Sequence, residues 1–191
     1  MHSPAKVVSQ KICLIGDFGV GKTSLIRQFV DRQFSDKYLS TVGVKISRKL
    51  VSISSSANNS PAELKQLQLI VWDIEGSTRF KAIAPSYLQG AKGAIIVGDV
   101  TRQSSIQSIK DHVQLFQSIN SKSSLVIALN KVDLIESNER EHLWQSISNE
   151  FANLSISIHI TSAKTGEGVD ETFQKLASQM LMLESGNHLH Y

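Results

Sequence analysis

The chain has 191 residues, 41% of them hydrophobic and 19% charged, the balance of one globular domain with a sizeable core. Lys and Arg number 20 against 17 Asp and Glu, a formal net charge of +3, and no dense basic block implies nucleic acid as a partner. The single cysteine, Cys13, lies in an apolar run, has no disulfide partner and reads as a packed thiol that fits a reducing compartment.

No stretch approaches the length of a membrane-spanning helix, and Met1–Lys6 is followed by no apolar signal core. His2 stands where myristoylation needs glycine, and the last eight residues carry no cysteine, so no direct lipid anchor is expected. The expectation is a single domain over 1–191, with a core at about 7–183. Residues 1–6 and 184–191 are expected as flexible ends.

Taken in chain order, Lys11–Ile15 predicts a buried strand and Lys22–Asp31 the first helix. Between them runs Gly16-Asp17-Phe18-Gly19-Val20-Gly21-Lys22-Thr23, with Ser24 following, a G-x-x-x-x-G-K-[ST] loop between strand and helix. Its glycines let the backbone curl with N–H groups pointing inward, and the helix adds the positive end of its dipole. Lys22 brings a charge to the β- and γ-phosphates, and the Thr23 hydroxyl suits Mg²⁺, which keeps several waters.

Gln33–Thr41 lacks periodicity and reads as a loop. Val44–Ile53 and the alternating stretch around Leu67, Leu69 and Val71 predict an antiparallel hairpin, with a polar tip at 54–61. Thr78–Leu88 reads as a weak helix interrupted by Pro85. Ala94–Val97 and Leu125–Leu129 are short apolar runs, as expected of central parallel strands. Between them Ser104 or Ser105 is expected to cap a helix burying Ile106, Ile109, Val113 and Phe116. A further helix would bury Leu143, Trp144, Ile147 and Phe151. Ile156, Ile158 and Ile160 mark the last strand, and Val169, Phe173, Leu176, Met180 and Leu183 line the last helix. Strands and helices thus alternate in an α/β fold, with six strands in a mostly parallel sheet flanked by about five helices.

In such a sheet ligands sit beyond the carboxyl ends of the strands. Four more motifs fall there: Ser40-Thr41-Val42-Gly43, Trp72-Asp73-Ile74-Glu75-Gly76, Asn130-Lys131-Val132-Asp133 and Thr161-Ser162-Ala163-Lys164. With the phosphate loop they make five motifs in order. Over roughly Val7–Met182 the sequence resembles a small GTPase of the Ras superfamily, most like the Rab branch. Rab-like wording recurs in Thr41–Val44, Leu69–Asp73, Arg79–Ile83 and Tyr87–Ala91. The resemblance implies the phosphate-loop NTPase fold of a G domain, binding GTP or GDP with Mg²⁺.

It also implies roles. Asp133 would accept two N–H bonds from guanine, a donor pair adenine lacks, so ATP would leave its charge unmet. Asn130 would brace neighbouring loops, Lys131 would lie over the base, and Phe34 would stand beside it. Ser162 and Lys164 flank Ala163, whose N–H would meet the guanine carbonyl. Thr23 and Thr41 would reach the metal directly, and Asp73 through a water. Thr41 and the Gly76 N–H would also reach the γ-phosphate, so hydrolysis would release both loops.

Three departures from the family bear on catalysis. Its usual Asp-Thr-Ala-Gly-Gln is here Asp73-Ile74-Glu75-Gly76-Ser77. Ser77 replaces the glutamine that orients the attacking water, and its hydroxyl is too short to do so from the same backbone. Glu75 puts a carboxylate beside the γ-phosphate site, where it would repel unless turned away or protonated, or would itself position the water. Phe18 stands where the family has a small residue. The candidate catalytic set is therefore Ser77, Glu75, Lys22 and Thr41. The expected function is a slow GTP-hydrolysing switch controlling partner binding. The alternative is a GTP/GDP-binding scaffold with negligible turnover. Effector, exchange-factor and activating proteins are implied without being identified. Lacking a terminal cysteine, the protein would be cytoplasmic and reach a membrane only through a partner, as a prokaryotic or atypical non-prenylated member.

Overall fold

The computed structural model describes residues 7–35, 41, 43–55, 63–76 and 84–187. Six strands form one sheet in the order β2-β3-β1-β4-β5-β6. They are β1 (Val8–Ile15), β2 (Val44–Ser55), β3 (Glu63–Ile74), β4 (Gly93–Asp99), β5 (Ser124–Asn130) and β6 (Ser157–Thr161). Only β2 runs antiparallel, paired with β3 from Val44↔Ile74 to Ser55↔Glu63. The helices described are α1 (Lys22–Asp31), α2 (Ala84–Leu88), α3 (Gln103–Gln107), α4 (Ile109–Ile119), α5 (Ser137–Glu150) and α6 (Val169–Asn187).

Alternation along the strands divides the core in two. Ile12 and Leu14 of β1 face α1 and α6, in a cluster with Leu25, Phe29, Phe173 and Leu176. Cys13 and Ile15 point to the other face, with Phe116, Ile127 and Phe151. β4 and β5 are buried along their whole length, as central parallel strands must be. Phe29 and Phe173 stack at 3.9 Å between centroids and join α1 to α6. Burial drives the pKa of the Cys13 thiol up to about 12, so it is an inert packing group.

Several expectations are corrected. Strand β1 begins at Val8 rather than Lys11, and β3 extends back to Glu63, because each finds a pairing partner beyond its apolar run. The helix expected to start at Ser104 or Ser105 is two short helices meeting at Ser108. Ser105 caps neither: its hydroxyl bonds the backbone N–H and C=O of Asp99. Trp144 is 43% exposed, since its indole N–H reaches the Ile158 carbonyl at the edge of the sheet and lies across it. Leu183 is also exposed, and α6 continues to Asn187, with Glu184 bonded to Gln10 of β1. Of the hairpin tip expected at 54–61, Ser54 and Ser55 belong to β2, paired with Leu64 and Glu63, while 56–61 and residues 78–83 of the weak helix lie outside the described residues. So do Ser77, Ser40, Val42 and the ends 1–6 and 188–191.

Candidate nucleotide and metal site

The carboxyl ends of β1, β3, β4, β5 and β6 lie along one rim, held in register by Leu14↔Asp73, Ile15↔Ile96, Asp99↔Asn130 and Asn130↔Thr161. A cleft of about 320 Å³ opens there. Its walls bring together Phe18, Gly19, Gly21, Lys22, Thr23, Ser24, Phe34, Thr41, Glu75, Gly76, Asn130, Lys131, Asp133, Ala163 and Lys164. Ile74 of the Trp72–Gly76 motif also lines it, as do Arg27, Gln33, Ser35 and Leu134, which carry no signal in the sequence pattern.

At the phosphate end, Gly21 takes the left-handed backbone (φ 100°) just before α1. Helix α1 has no side-chain cap and no acidic residue in its first turn. α5, by contrast, closes its own N-terminus with a Glu136–Glu139 capping box. The uncapped N–H groups of α1 therefore remain available to an anion. Lys22 is 6% exposed and donates to the carbonyls of Gly16 (2.7 Å) and Asp17 (2.9 Å). Burial lowers its pKa to about 8 against the opposing pull of Asp73 and Asp17. Asp17 itself turns its carboxylate away to His112 of α4 (3.0 Å). Gly76 packs so closely that a Cβ there would come 2.6 Å from the Lys22 Nζ.

Beside Lys22, three oxygen ligands converge. Thr23 Oγ1 lies 2.8 Å from Thr41 Oγ1 and also bonds Asp73 Oδ2, which is 3.5 Å from Thr41 Oγ1. Asp73 is 1% exposed, and its Oδ1 has no hydrogen-bond partner among the described residues. Burial raises its pKa. A buried carboxylate oxygen left unmet beside two hydroxyls fits a hard divalent cation, which oxygen donors suit. Thr23, Thr41 and Asp73 are the residues that would hold Mg²⁺.

At the base end, Lys131 has a left-handed backbone (φ 70°), turning the chain so that Lys131 and Asp133 both line the cleft. The Ser162 hydroxyl bonds Asp133 Oδ1 at 2.6 Å and fixes the carboxylate's orientation. Asn130 Nδ2 donates to the Val20 carbonyl at 2.9 Å, while its Oδ1 accepts from the Ala163 N–H (3.2 Å) and the Thr161 hydroxyl (3.3 Å). One amide thus ties the phosphate loop to the base loops. Val20 and Ser162 stand behind the wall and act through these bonds.

Two groups at the rim, Asp99 and Arg102, are not indicated by the motifs. Asp99, at the end of β4, is 1% exposed and accepts from Lys131 Nζ (2.6 Å) and Arg102 Nε (3.0 Å). Arg102 Nη2 in turn donates to the Phe18 carbonyl at 2.8 Å. An acid closing an apolar strand at the ligand edge is the one sequence feature that could have marked Asp99. Glu75 N–H donates to the Gly43 carbonyl (3.0 Å), and its Oε2 accepts from the Gly43 N–H (2.9 Å).

Sheet order, phosphate loop and the Asn130-Lys131-x-Asp133 corner together define a small guanine-nucleotide-binding domain. A sequence model of the Ras family matches residues 11–182. Similar proteins include the Ras-related protein Rab-1C of Dictyostelium discoideum, 39% identical over 89% of this chain and 80% of the relative. Ras-related protein Rab-13 of Mesocricetus auratus is 34% identical over 93% of this chain and 85% of its own. GTP-binding protein ypt1 of Schizosaccharomyces pombe is 34% identical over 89% and 79%. The chain belongs to the Ras family, as a Rab-like small GTPase.

Proposed function

We infer that this protein is a slow switch: it binds Mg²⁺ with GTP or GDP, hydrolyses GTP weakly, and offers the loops around Thr41 and Glu75–Gly76 to a partner. One observation carries the reading. A single cleft holds an acid fixed for a two-donor base edge at one end and an unmet oxygen set beside an uncapped helix at the other.

Asp133, oriented by Ser162, accepts the paired N–H groups of guanine and leaves adenine unmatched. Lys131, held by Asp99, lies along the base. Lys22 and the α1 N–H groups take the phosphates, and Thr23, Thr41 and Asp73 hold the cation, which neutralises charge on the phosphate oxygens when bound. Gly76 comes against the phosphate loop closely enough for its N–H to serve the γ-phosphate. Beside Gly43 stands the outer edge of β2, where Ile46 is half exposed, an apolar foothold for a partner reading that loop. Slow turnover follows from Ser77, whose hydroxyl cannot span the distance the family's glutamine covers.

Calorimetry tests the recognition: GTP and GDP should bind at least 1,000-fold more tightly than ATP, consistent with about 4 kcal/mol for an unmatched buried polar edge. Asp133→Asn should erase most of that ratio, and equal ATP binding by the wild type overturns the reading. Single-turnover hydrolysis tests the rate. Ser77→Gln should hydrolyse GTP at least tenfold faster than the wild type, and a faster wild type refutes the role given to Ser77. Absence of phosphate release by the wild type over hours, even with cell extract, would favour the scaffold reading.

A further inference from the structure

The two bonds between Glu75 and Gly43 are of different kinds. The Glu75 N–H to Gly43 carbonyl bond extends the β2–β3 ladder one step past Val44↔Ile74. In a regular ladder the Gly43 N–H would return to the Glu75 carbonyl. Here it is taken by the Glu75 carboxylate instead, at 2.9 Å. An N–H bond to a carboxylate is stronger than one to a neutral carbonyl. The alanine usual in this family has no oxygen with which to make it.

The bond lies where it can govern the site. Gly43 has φ +75°, the left-handed turn by which the chain leaves β2 toward Thr41. Thr41, two residues away, places its hydroxyl 2.8 Å from that of Thr23. Next to Glu75, Gly76 lies against Lys22. The Glu75–Gly43 pair thus joins the two loops that flank the γ-phosphate position. Both bonds are made wholly by protein atoms, so neither depends on a third phosphate.

We propose that Glu75 is a positioning residue that latches the Thr41 loop to the end of β3 whichever nucleotide is bound, so that the loops stay joined after hydrolysis. The inference rests on the switch reading above and narrows it: the structural difference between the GDP and GTP forms is smaller than the Thr41 and Gly76 contacts alone would produce. The carboxylate is turned to a backbone amide, and its repulsion of the γ-phosphate is correspondingly reduced.

Amide hydrogen exchange on the full chain tests this, with Mg²⁺-GDP and with a Mg²⁺-loaded non-hydrolysable GTP analogue. In the wild type the Gly43 amide should be protected to within about threefold in both forms. In Glu75→Ala with GDP it should exchange at least tenfold faster, while the Ile95 amide of β4 is unchanged and reports an intact sheet. Glu75→Gln, whose amide oxygen still accepts, should fall between the two. A wild-type Gly43 that is protected only with the GTP analogue overturns the proposal, and so does equal protection in wild type and Glu75→Ala. Should Glu75→Ala fail to fold, wild type against Glu75→Gln decides, equal exchange counting against the carboxylate. If the wild type binds no guanine nucleotide, the switch reading fails, and the same comparison without nucleotide still tests the latch.

Discussion

Asp99 gathers two cations of the rim, Lys131 and Arg102, onto one buried carboxylate. Lys131 Nζ lies at 2.6 Å, Arg102 Nε at 3.0 Å, and Thr101 donates through both its N–H (3.0 Å) and its hydroxyl (2.7 Å). Burial by itself raises this pKa, but the bonds from Lys131 and Thr101 outweigh it and hold the carboxyl below the usual range. A carboxyl with a depressed folded pKa stabilises the fold above its unfolded pKa, near 3.9, and the contribution disappears as pH falls through the lower folded value. Asp99→Asn should therefore cost about 2 kcal/mol at pH 7, the scale of one bond to a charged group. The gap between variant and wild type should narrow as pH falls below about 4. Urea denaturation at a series of pH values checks this, and a gap unchanged from pH 7 to 3 would contradict it.

At the scale of elements, the helix pair α1 and α6 clamps the phosphate loop from behind. The Phe29–Phe173 stack, with an interplanar angle of 2°, is its centre, and an Arg32–Asp170 ion pair at 2.7 Å sits at its exposed rim. The stack is buried and the pair is not, so the stack carries the energy. Phe173→Ala should lower stability by about 3–5 kcal/mol, the usual cost of emptying a packed aromatic site. Arg32→Ala should cost less than about 1 kcal/mol. Urea midpoints of the two variants, at unchanged m-value, compare them directly. The short helices α3 and α4 follow a different logic: the Ser105 hydroxyl is spent on the Asp99 backbone, holding the start of α3 to the end of β4.

For the whole molecule, the cleft is built from both halves of the chain. The Asn130 side chain joins the loop after β1 to the loops after β5 and β6. A ligand spanning the cleft should therefore stabilise the entire domain rather than one loop. Mg²⁺-GDP at 1,000 times its dissociation constant should add about 4 kcal/mol. For a chain of this length that is a rise in Tm of roughly 10 °C. ATP at the same concentration should raise Tm by no more than about 1 °C, and calorimetric scans with each nucleotide read the difference.

Element order, the mostly parallel sheet and the place of the phosphate loop are legible in the residues alone, because these follow from local apolar runs, glycines and short motifs. The sequence also placed Asn130, Lys131, Asp133, Thr23 and Asp73 at one rim, since every parallel strand must end there; Thr41 joins them because the antiparallel β2 begins at that rim. What those side chains touch emerges only once the chain is packed. Ser162 on Asp133, Arg102 on Phe18 and Glu75 on Gly43 join residues 29, 84 and 32 positions apart. No periodicity encodes such contacts; they exist because packing the sheet brings distant loop ends within hydrogen-bond reach. The same is true of Trp144, whose helical spacing predicts burial but whose sheet edge leaves it 43% exposed.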